Sequence, residues 1–462
     1  MNYTEELDLR SVRKAHFIGI GGIGMSGIAR LMLGLGYSVS GSDSKSSEIT
    51  RALQREGARV HCGHSASALG SPDVVVVSSA IAPDNPELRA AFRRGLPVVR
   101  RALMLSALAG LKKTVTIAGT HGKTTTTSMT AAALEAAGAD ATAVVGGIIK
   151  GAGSNIKLGG GHYLVAEADE SDGSFLYFSP LVSCVTNIDS DHLDHYGSMD
   201  SLKRAFLRHL AKVPFYGQAV LCSDDPVIRE LLPALRQVPH VTCGTGPGAD
   251  WQAREVSFGE GGSSYRAYFR GRLKGRVKLR CGGVHNVRNS LLALAAGSYL
   301  GFPFERLSLG LWNFSGVKRR MDRHGAAAGV EFVDDYGHHP TEIRATLAAA
   351  RGLFPGRRLV VLFQPHRYSR TALLYRDFGR AFGGADRVYV APVYAAGEKP
   401  LPGVDSGLIL RQLRRNGAPA SEFPGVLAAM KELKPGDVLM TLGAGDVWKT
   451  GEEIKLRLEM VS

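Results

Sequence analysis

The 462-residue sequence predicts an α/β protein of three successive domains, and three observations carry that prediction. Short apolar, β-branched runs recur with helical stretches between them, the pattern of parallel sheets. Two of these runs open into glycine turns at helix starts, Gly19-Ile-Gly21-Gly22-Ile-Gly24 and Gly119-Thr120-His121-Gly122-Lys123-Thr124-Thr125. Others end in clusters of acids or of Arg and His, at the strand ends where such sheets collect ligands. The expected architecture is a Rossmann-like N-terminal domain (1–109), a central P-loop ATPase-type parallel-sheet domain (110–315) and a C-terminal Rossmann-like α/β domain (316–462).

In the first domain, Lys14–Ile20 reads as a strand and is followed by overlapping G-x-G-x-x-G frames and a helix from about Met25 to Leu35. A short strand, Tyr37–Ser40, leads to Asp43, where a dinucleotide fold places the acid that holds a ribose. Asp73–Ser79 contains four consecutive valines and reads as a buried strand, with Pro83, Asn85 and Pro86 marking the loop beyond it. Taken alone, this glycine loop also fits an NAD-dependent dehydrogenase. The second phosphate loop downstream favours a nucleotide-linked substrate here and ATP there.

In the second domain the strand Thr114–Ala118 enters the turn Gly119–Lys123 and a helix, Thr124–Ala137, closed by Gly138. Converging backbone N–H groups and a helix N-terminus suit a phosphate, Lys123 adds a full positive charge, and the Thr124 hydroxyl suits Mg²⁺. The loop is short, because Ile117 stands where the usual P-loop carries its first glycine. Tyr163–Ala168 and Leu181–Asn187 end in Glu167-Ala-Asp169-Glu170-Ser-Asp172 and Asp189-Ser-Asp191-His192, acids suited to Mg²⁺ and phosphoryl transfer. Capping explains one or two of these carboxylates, since Asp172 and Asp191 stand where helices can begin, and not the whole set. Gly244–Arg280 reads as β-rich, and His285-Asn286-Val-Arg-Asn289 precedes a long helix, Ser290–Leu300.

The third domain carries Val333-Asp334-Asp335-Tyr336-Gly-His338-His339-Pro-Thr-Glu342, and Arg358–Phe363 leads to Gln364-Pro-His366-Arg367-Tyr-Ser-Arg370. Asp386–Ala391 and Asp437–Leu442 read as further buried strands. Arg and His at strand ends suit carboxylate and phosphate groups.

Composition sets outer bounds. A hydrophobic content of 44% with 21% charged residues is that of a soluble globular protein. The acidic start Met1-Asn-Tyr-Thr-Glu-Glu has no signal-peptide core, and no apolar run has the length of a membrane span. Five scattered cysteines fit reduced thiols, so a cytoplasmic location is expected. The net charge of +14 allows nucleic acid or small polyanions as partners, although the basic residues form no stripe.

The ordered set Gly119-Thr-His-Gly-Lys-Thr-Thr, Glu167-Ala-Asp-Glu-Ser-Asp, Asp191-His192, His285-Asn-Val-Arg-Asn289, Asp334–Glu342 and Phe363–Thr371 resembles the ATP-dependent Mur ligases of peptidoglycan synthesis, across essentially the whole chain. The shortened phosphate loop is that family's variant, and the last two motifs point to its alanine-adding member. The resemblance implies that Gly22, Gly24, Met25 and Ser26 bind the diphosphate of a UDP-sugar, with Asp43 and the turn Ser79, Ala80, Ile81 near the uridine and sugar. It implies ATP at Gly119–Thr125, with Lys123 on the outer phosphates, His285, Asn286 and Asn289 on the adenine side, Arg320 on the phosphates and Asp335 on the ribose. Lys123, Glu167 and His192 are the implied catalytic residues. Thr124, Glu167 and His192 would surround Mg²⁺, with Mn²⁺ as a substitute. Tyr336, His338, His366, Arg367 and Arg370 would form the alanine pocket. The implied partners are UDP-N-acetylmuramate and L-alanine, without nucleic acid or membrane, in a monomer or homodimer.

Overall fold

Lys14–Ile18 (β1), Ser38–Asp43 (β2), Arg59–Cys62 (β3), Val74–Val77 (β4) and Val98–Arg100 (β5) form a parallel sheet in the order β3-β2-β1-β4-β5. The computed structural model describes residues 3–78, 80–147, 154–259 and 261–461. The valines of β4 are all but fully buried. Burying one such side chain stabilises by about 1.5–3 kcal/mol, so the run is driven to the sheet interior. β1 stops at Ile18, before the expected Ile20, because Gly19 takes φ +83° and the Gly19 and Ile20 N–H groups both donate to the Ser42 carbonyl. The first helix runs Ile23–Gly34, and β2 extends far enough to make Asp43 its last residue.

Ten strands form the second sheet: Lys113–Ala118 (β6), Thr142–Val144 (β7), Ile156–Lys157 (β8), Tyr163–Glu167 (β9), Val182–Val185 (β10), Gln218–Cys222 (β11), His240–Gly244 (β12), Trp251–Gly259 (β13), Gly262–Phe269 (β14) and Arg272–Leu279 (β15). Their order is β15-β14-β13-β12-β11-β10-β6-β9-β7-β8. β6 lies between β9 and β10, parallel to both, so the glycine loop leaving β6 stands between the two acid-rich strand ends. The helix Lys123–Ala136 begins with four consecutive threonines of weak helix propensity after Lys123, and Thr126, Thr127 and Thr130 return their hydroxyls to carbonyls four residues back. Packing offsets that weakness. Gly310, in the helix Phe304–Asn313, lies so close to Ala132 and Ala133 that no Cβ fits between.

Asp322–Ala327 (β16), Val330–Asp335 (β17), Leu359–Phe363 (β18), Arg387–Val390 (β19), Ala420–Glu422 (β20) and Val438–Leu442 (β21) form the third sheet, ordered β16-β17-β21-β18-β19-β20. All its pairs are parallel except the edge pair β16–β17. The chain divides into two compact units. One comprises Met1–Ala253, Ala267–Gly275 and Arg288–Asn313, and the other Arg254–Arg266, Arg276–Val287 and Phe314–Ser462. One expectation fails locally. The helix expected from Ser290 runs Val284–Tyr299, so His285, Asn286 and Asn289 lie inside its first turns. Asn286 lowers the cost of this polar start by donating Nδ2–H to the Gly282 carbonyl at 2.8 Å.

Candidate active site

The glycine loop after β6 is tied down from β10. Thr120 N–H donates to the Asn187 carbonyl (3.1 Å) and His121 N–H to Asn187 Oδ1 (2.9 Å). The His121 carbonyl accepts from Thr186 Oγ1 and Asn187 Nδ2. Gly119 (φ +125°) lies against Thr186 and Asn187, and Gly122 (φ +82°) against Asn289, so neither position admits a side chain. Helical bonding starts with Thr126 N–H to the Gly122 carbonyl, and the cap is a glycine. The N–H groups of Lys123, Thr124 and Thr125 precede that bond and form the positive end of the helix dipole.

Lys123 Nζ stands 2.7 and 2.9 Å from the two Glu170 oxygens, 3.6 Å from Asp169 and 3.3 Å from the Thr120 carbonyl. Burial acts to lower the Lys123 pKa, but Glu170, Asp169 and Glu167 outweigh it and the amine stays charged. Burial raises Glu170 to about 7, with Lys123 pulling it back. Thr124 Oγ1 donates to Glu167 at 3.0 Å, and the same carboxylate accepts from Gly146 N–H at 2.7 Å. His192 Nε2 lies 3.8 Å from Glu170 and 3.7 Å from Asp191. The residue adopts φ +58°, a left-handed conformation that costs a non-glycine residue about 1–3 kcal/mol and tends to occur at functional sites. Thr124 and Glu167 thus form a hard oxygen pair fit for Mg²⁺, with His192 joined to the neighbouring Lys123–Glu170 pair. Of the two candidate caps, Asp172 accepts from Ser174 N–H at 2.9 Å, and Asp191 accepts from His192 N–H, the residue before the next helix.

In the first sheet, Gly21 N–H donates to Asp43 Oδ2 at 2.8 Å, so the Asp43 carboxylate shapes the loop. Gly24 faces Arg101, whose Cδ and Nη1 lie 3.1 Å from an added Cβ, which sets a cation beside this loop. Met25 and Ser26 are buried, and Ser26 is bonded to the Gly22 and Ile23 carbonyls. Ala80 and Ile81 N–H groups bond to Ser78, and Ile81 approaches Gly19. Ser79 lies outside the described residues.

In the second unit, two guanidinium groups, Arg319 and Arg320, each lie 5.0 Å from the ring centre of Tyr336. Arg320 also approaches Glu342 at 3.6 Å. Asp335 is 4% exposed and accepts from Met321 N–H, Gly337 N–H and Thr346 Oγ1, so its carboxylate holds the turn after β17 together. The His338 and His366 rings are 5.6 Å apart, His366 stacks on Tyr394, and Arg370 Nη1 donates to His366 Nδ1 at 3.4 Å. Burial, with repulsion from Arg370, lowers His366 to about 4. Burial lowers His338 to about 4 as well, against the pull of Glu342. Arg367 is exposed with φ +70°, and its N–H donates to the Tyr394 carbonyl. Four of the five expected pocket residues therefore form one chain of contacts, and Arg367 opens the helix that carries Arg370.

Three family descriptions match in order: "Mur ligase family, catalytic domain" over residues 14–113, "Mur ligase middle domain" over 117–297, and "Mur ligase, glutamate ligase domain" over 319–445. The chain belongs to the Mur ligase family. Among curated Mur ligases it is 50% identical to the UDP-N-acetylmuramate–L-alanine ligase of Desulfatibacillum aliphaticivorans and 48% identical to that of Endomicrobium trichonymphae. In both cases the match covers 95% of this chain and 97% of the relative. The crystal structure of UDP-N-acetylmuramate–alanine ligase from Thermotoga maritima superposes with a TM-score of 0.79 at 30% identity, over 97% of this chain and 100% of that one. A murein peptide ligase from Psychrobacter arcticus shares the fold, with a TM-score of 0.67 at 24% identity over 97% and 99% of the two chains. Mur ligases are ATP-dependent, and one structural relative, from Thermotoga maritima, is in complex with ADP.

Sequence reasoning assigned no role to three residues that contact the expected ones within their own units. Glu170 was visible only as one of several acids, and Arg101 and Arg319 only as unassigned basic residues. For Arg319 the one local signal was its place beside Arg320, ahead of the Asp334–Asp335 strand end.

Proposed function

We propose that this Mur ligase joins L-alanine to the lactyl carboxylate of UDP-N-acetylmuramate, consuming ATP through an acyl phosphate. The observation that carries the reading is the buried Lys123 ammonium at a glycine-capped helix N-terminus, braced by carboxylates on the adjoining strand end. Relatives bearing this activity match nearly the whole chain.

In this reading residues 1–109 hold the UDP-sugar, 110–315 hold ATP, and 316–462 supply the alanine pocket. Lys123 moves from Glu170 to the outer phosphates as ATP enters, and the N–H groups of Lys123, Thr124 and Thr125 meet phosphate oxygens. Asn289, beside Gly122, with His285 and Asn286 on the same helix, faces the adenine half, and Arg320 and Asp335 serve the phosphates and ribose. Thr124, Glu167 and His192 would hold Mg²⁺, which supplies charge neutralisation on the phosphoryl group. A lactyl carboxylate oxygen attacks the γ-phosphorus, and ADP leaves. Arg370 and Arg367 hold the alanine carboxylate with its amine, once deprotonated, free to attack the acyl carbon. The tetrahedral adduct breaks its bond to the phosphate oxygen and releases phosphate, leaving the amide. A cytoplasmic location is part of the same proposal.

The test is ADP release with UDP-N-acetylmuramate, ATP and a panel of L-alanine, glycine, L-serine and the tripeptide that a recycling ligase would use. Alanine-dependent ADP release supports the reading, and release with the tripeptide alone contradicts it.

A further inference from the structure

Beneath the first glycine loop lies a buried polar network that the proposed reaction does not use. Glu87, in the helix Pro86–Arg93, is fully buried, as are His16 of β1 and Ser42 of β2. Glu87 Oε2 accepts from His16 Nε2 at 2.6 Å. Its Oε1 accepts from Ser42 Oγ at 2.7 Å and from His64 Nδ1 at 2.9 Å. The far nitrogen of His16 meets Ser40 Oγ at 3.0 Å. Burial alone would raise this carboxyl, but the hydrogen bonds from His16, Ser42 and His64 outweigh it and hold Glu87 below its ordinary range. A buried carboxylate is expensive unless every lone pair is met, and here donors converge on it from β1, β2 and the loop after β3.

What this hub holds in place is the corner Ser42–Asp43. The Ser42 carbonyl accepts from Gly19 N–H (2.9 Å) and Ile20 N–H (3.0 Å). The Asp43 side chain accepts from Gly21 N–H, and its carbonyl accepts from Gly63 N–H at 2.7 Å. The same serine thus offers its hydroxyl to Glu87 and its carbonyl to the glycine loop. We propose that Glu87 is a positioning residue for the nucleotide-sugar site, setting the curvature of the loop Gly19–Gly24 through Ser42. The inference rests on the reading of that loop as the UDP-sugar site.

The experiment is calorimetric titration of the full chain with UDP-N-acetylmuramate. E87Q keeps the shape of the side chain but turns one acceptor into a donor, facing either His16 or the Ser42–His64 pair. Losing a hydrogen bond to a charged group should raise Kd about tenfold or more, while Kd for ATP stays unchanged. S42A removes only the link and should raise Kd by a smaller factor, about threefold. V76A, registered with Phe17 on the face of the sheet opposite His16, lowers the melting temperature without touching the network and should leave Kd within about twofold. Unchanged Kd in folded E87Q and S42A overturns the inference, as does an equal rise in V76A, because the network is then only core. Failure of the wild-type chain to bind the UDP-sugar overturns the ligase reading and takes this inference with it.

Discussion

Replacing Lys123 with alanine separates the chemistry of the phosphate loop from its stability. Lys123 is 11% exposed and Glu170 not at all, with the charges 2.7 Å apart. Removing one partner of a buried pair costs about 3–5 kcal/mol because the other charge is left alone. At about 2–4 °C per kcal/mol, this lowers the melting transition of the unit by roughly 6–20 °C. The pH dependence has a definite sign. Burial already raises Glu170 to about 7 with Lys123 beside it, so without the lysine it titrates higher still. An acid whose folded pKa is raised loses stability as pH climbs from its ordinary range through the folded value. The K123A deficit is therefore greatest above neutrality and shrinks toward pH 5, where Glu170 is protonated and neutral. The double variant K123A/E170Q should recover most of the loss. Differential scanning calorimetry from pH 5 to 8.5 reads all three outcomes. ADP formation should fall by about 10²–10³-fold or more, with UDP-N-acetylmuramate binding unchanged. A K123A deficit that deepens on acidification, or a double variant no more stable than K123A, refutes the buried-pair argument.

Arg370→Ala should raise the KM for alanine by at least about 30-fold, the effect of losing about 2 kcal/mol from a desolvated charge pair. The variant should still form the acyl phosphate, trapped by hydroxylamine as a hydroxamate, and an unchanged KM would place Arg370 outside the pocket. The same substitution removes repulsion on His366, so its ring signals should titrate above about 4 in NMR spectra of the variant. Glu167→Ala should raise the Mg²⁺ concentration for half-maximal activity by at least about tenfold, since even an outer partner of a metal ligand contributes about 10–100-fold. A magnesium titration that superposes on wild type removes Glu167 from the metal site.

Local motifs were legible where the chemistry is local. Gly119, Gly122 and Lys123 lie within five residues, and the strand, turn and helix start they predict are observed, with Gly122 left-handed at the cap. The acids of 167–172 were legible as a group, but not which of them faces which partner. Glu167, the last residue of β9, bonds Thr124, whereas Glu170, beyond the strand end, bonds Lys123. The start of the helix at Val284 was missed because its first turn is polar, and Asn286 satisfies Gly282 in a way no periodicity shows. Glu87 was hidden for the opposite reason. It sits in an ordinary helix start after Asn85-Pro86, and its partners come from residues 16, 42 and 64. Long-range polar networks leave no spacing in the sequence.

The central claim is that the carboxylate of the UDP-sugar is activated as an acyl phosphate before alanine attacks. UDP-N-acetylmuramate carrying ¹⁸O in its lactyl carboxylate tests it directly, with ATP, Mg²⁺ and L-alanine present and the released phosphate analysed by mass spectrometry. The account predicts that one labelled oxygen passes into inorganic phosphate for each amide formed. Amide formation with unlabelled phosphate contradicts it.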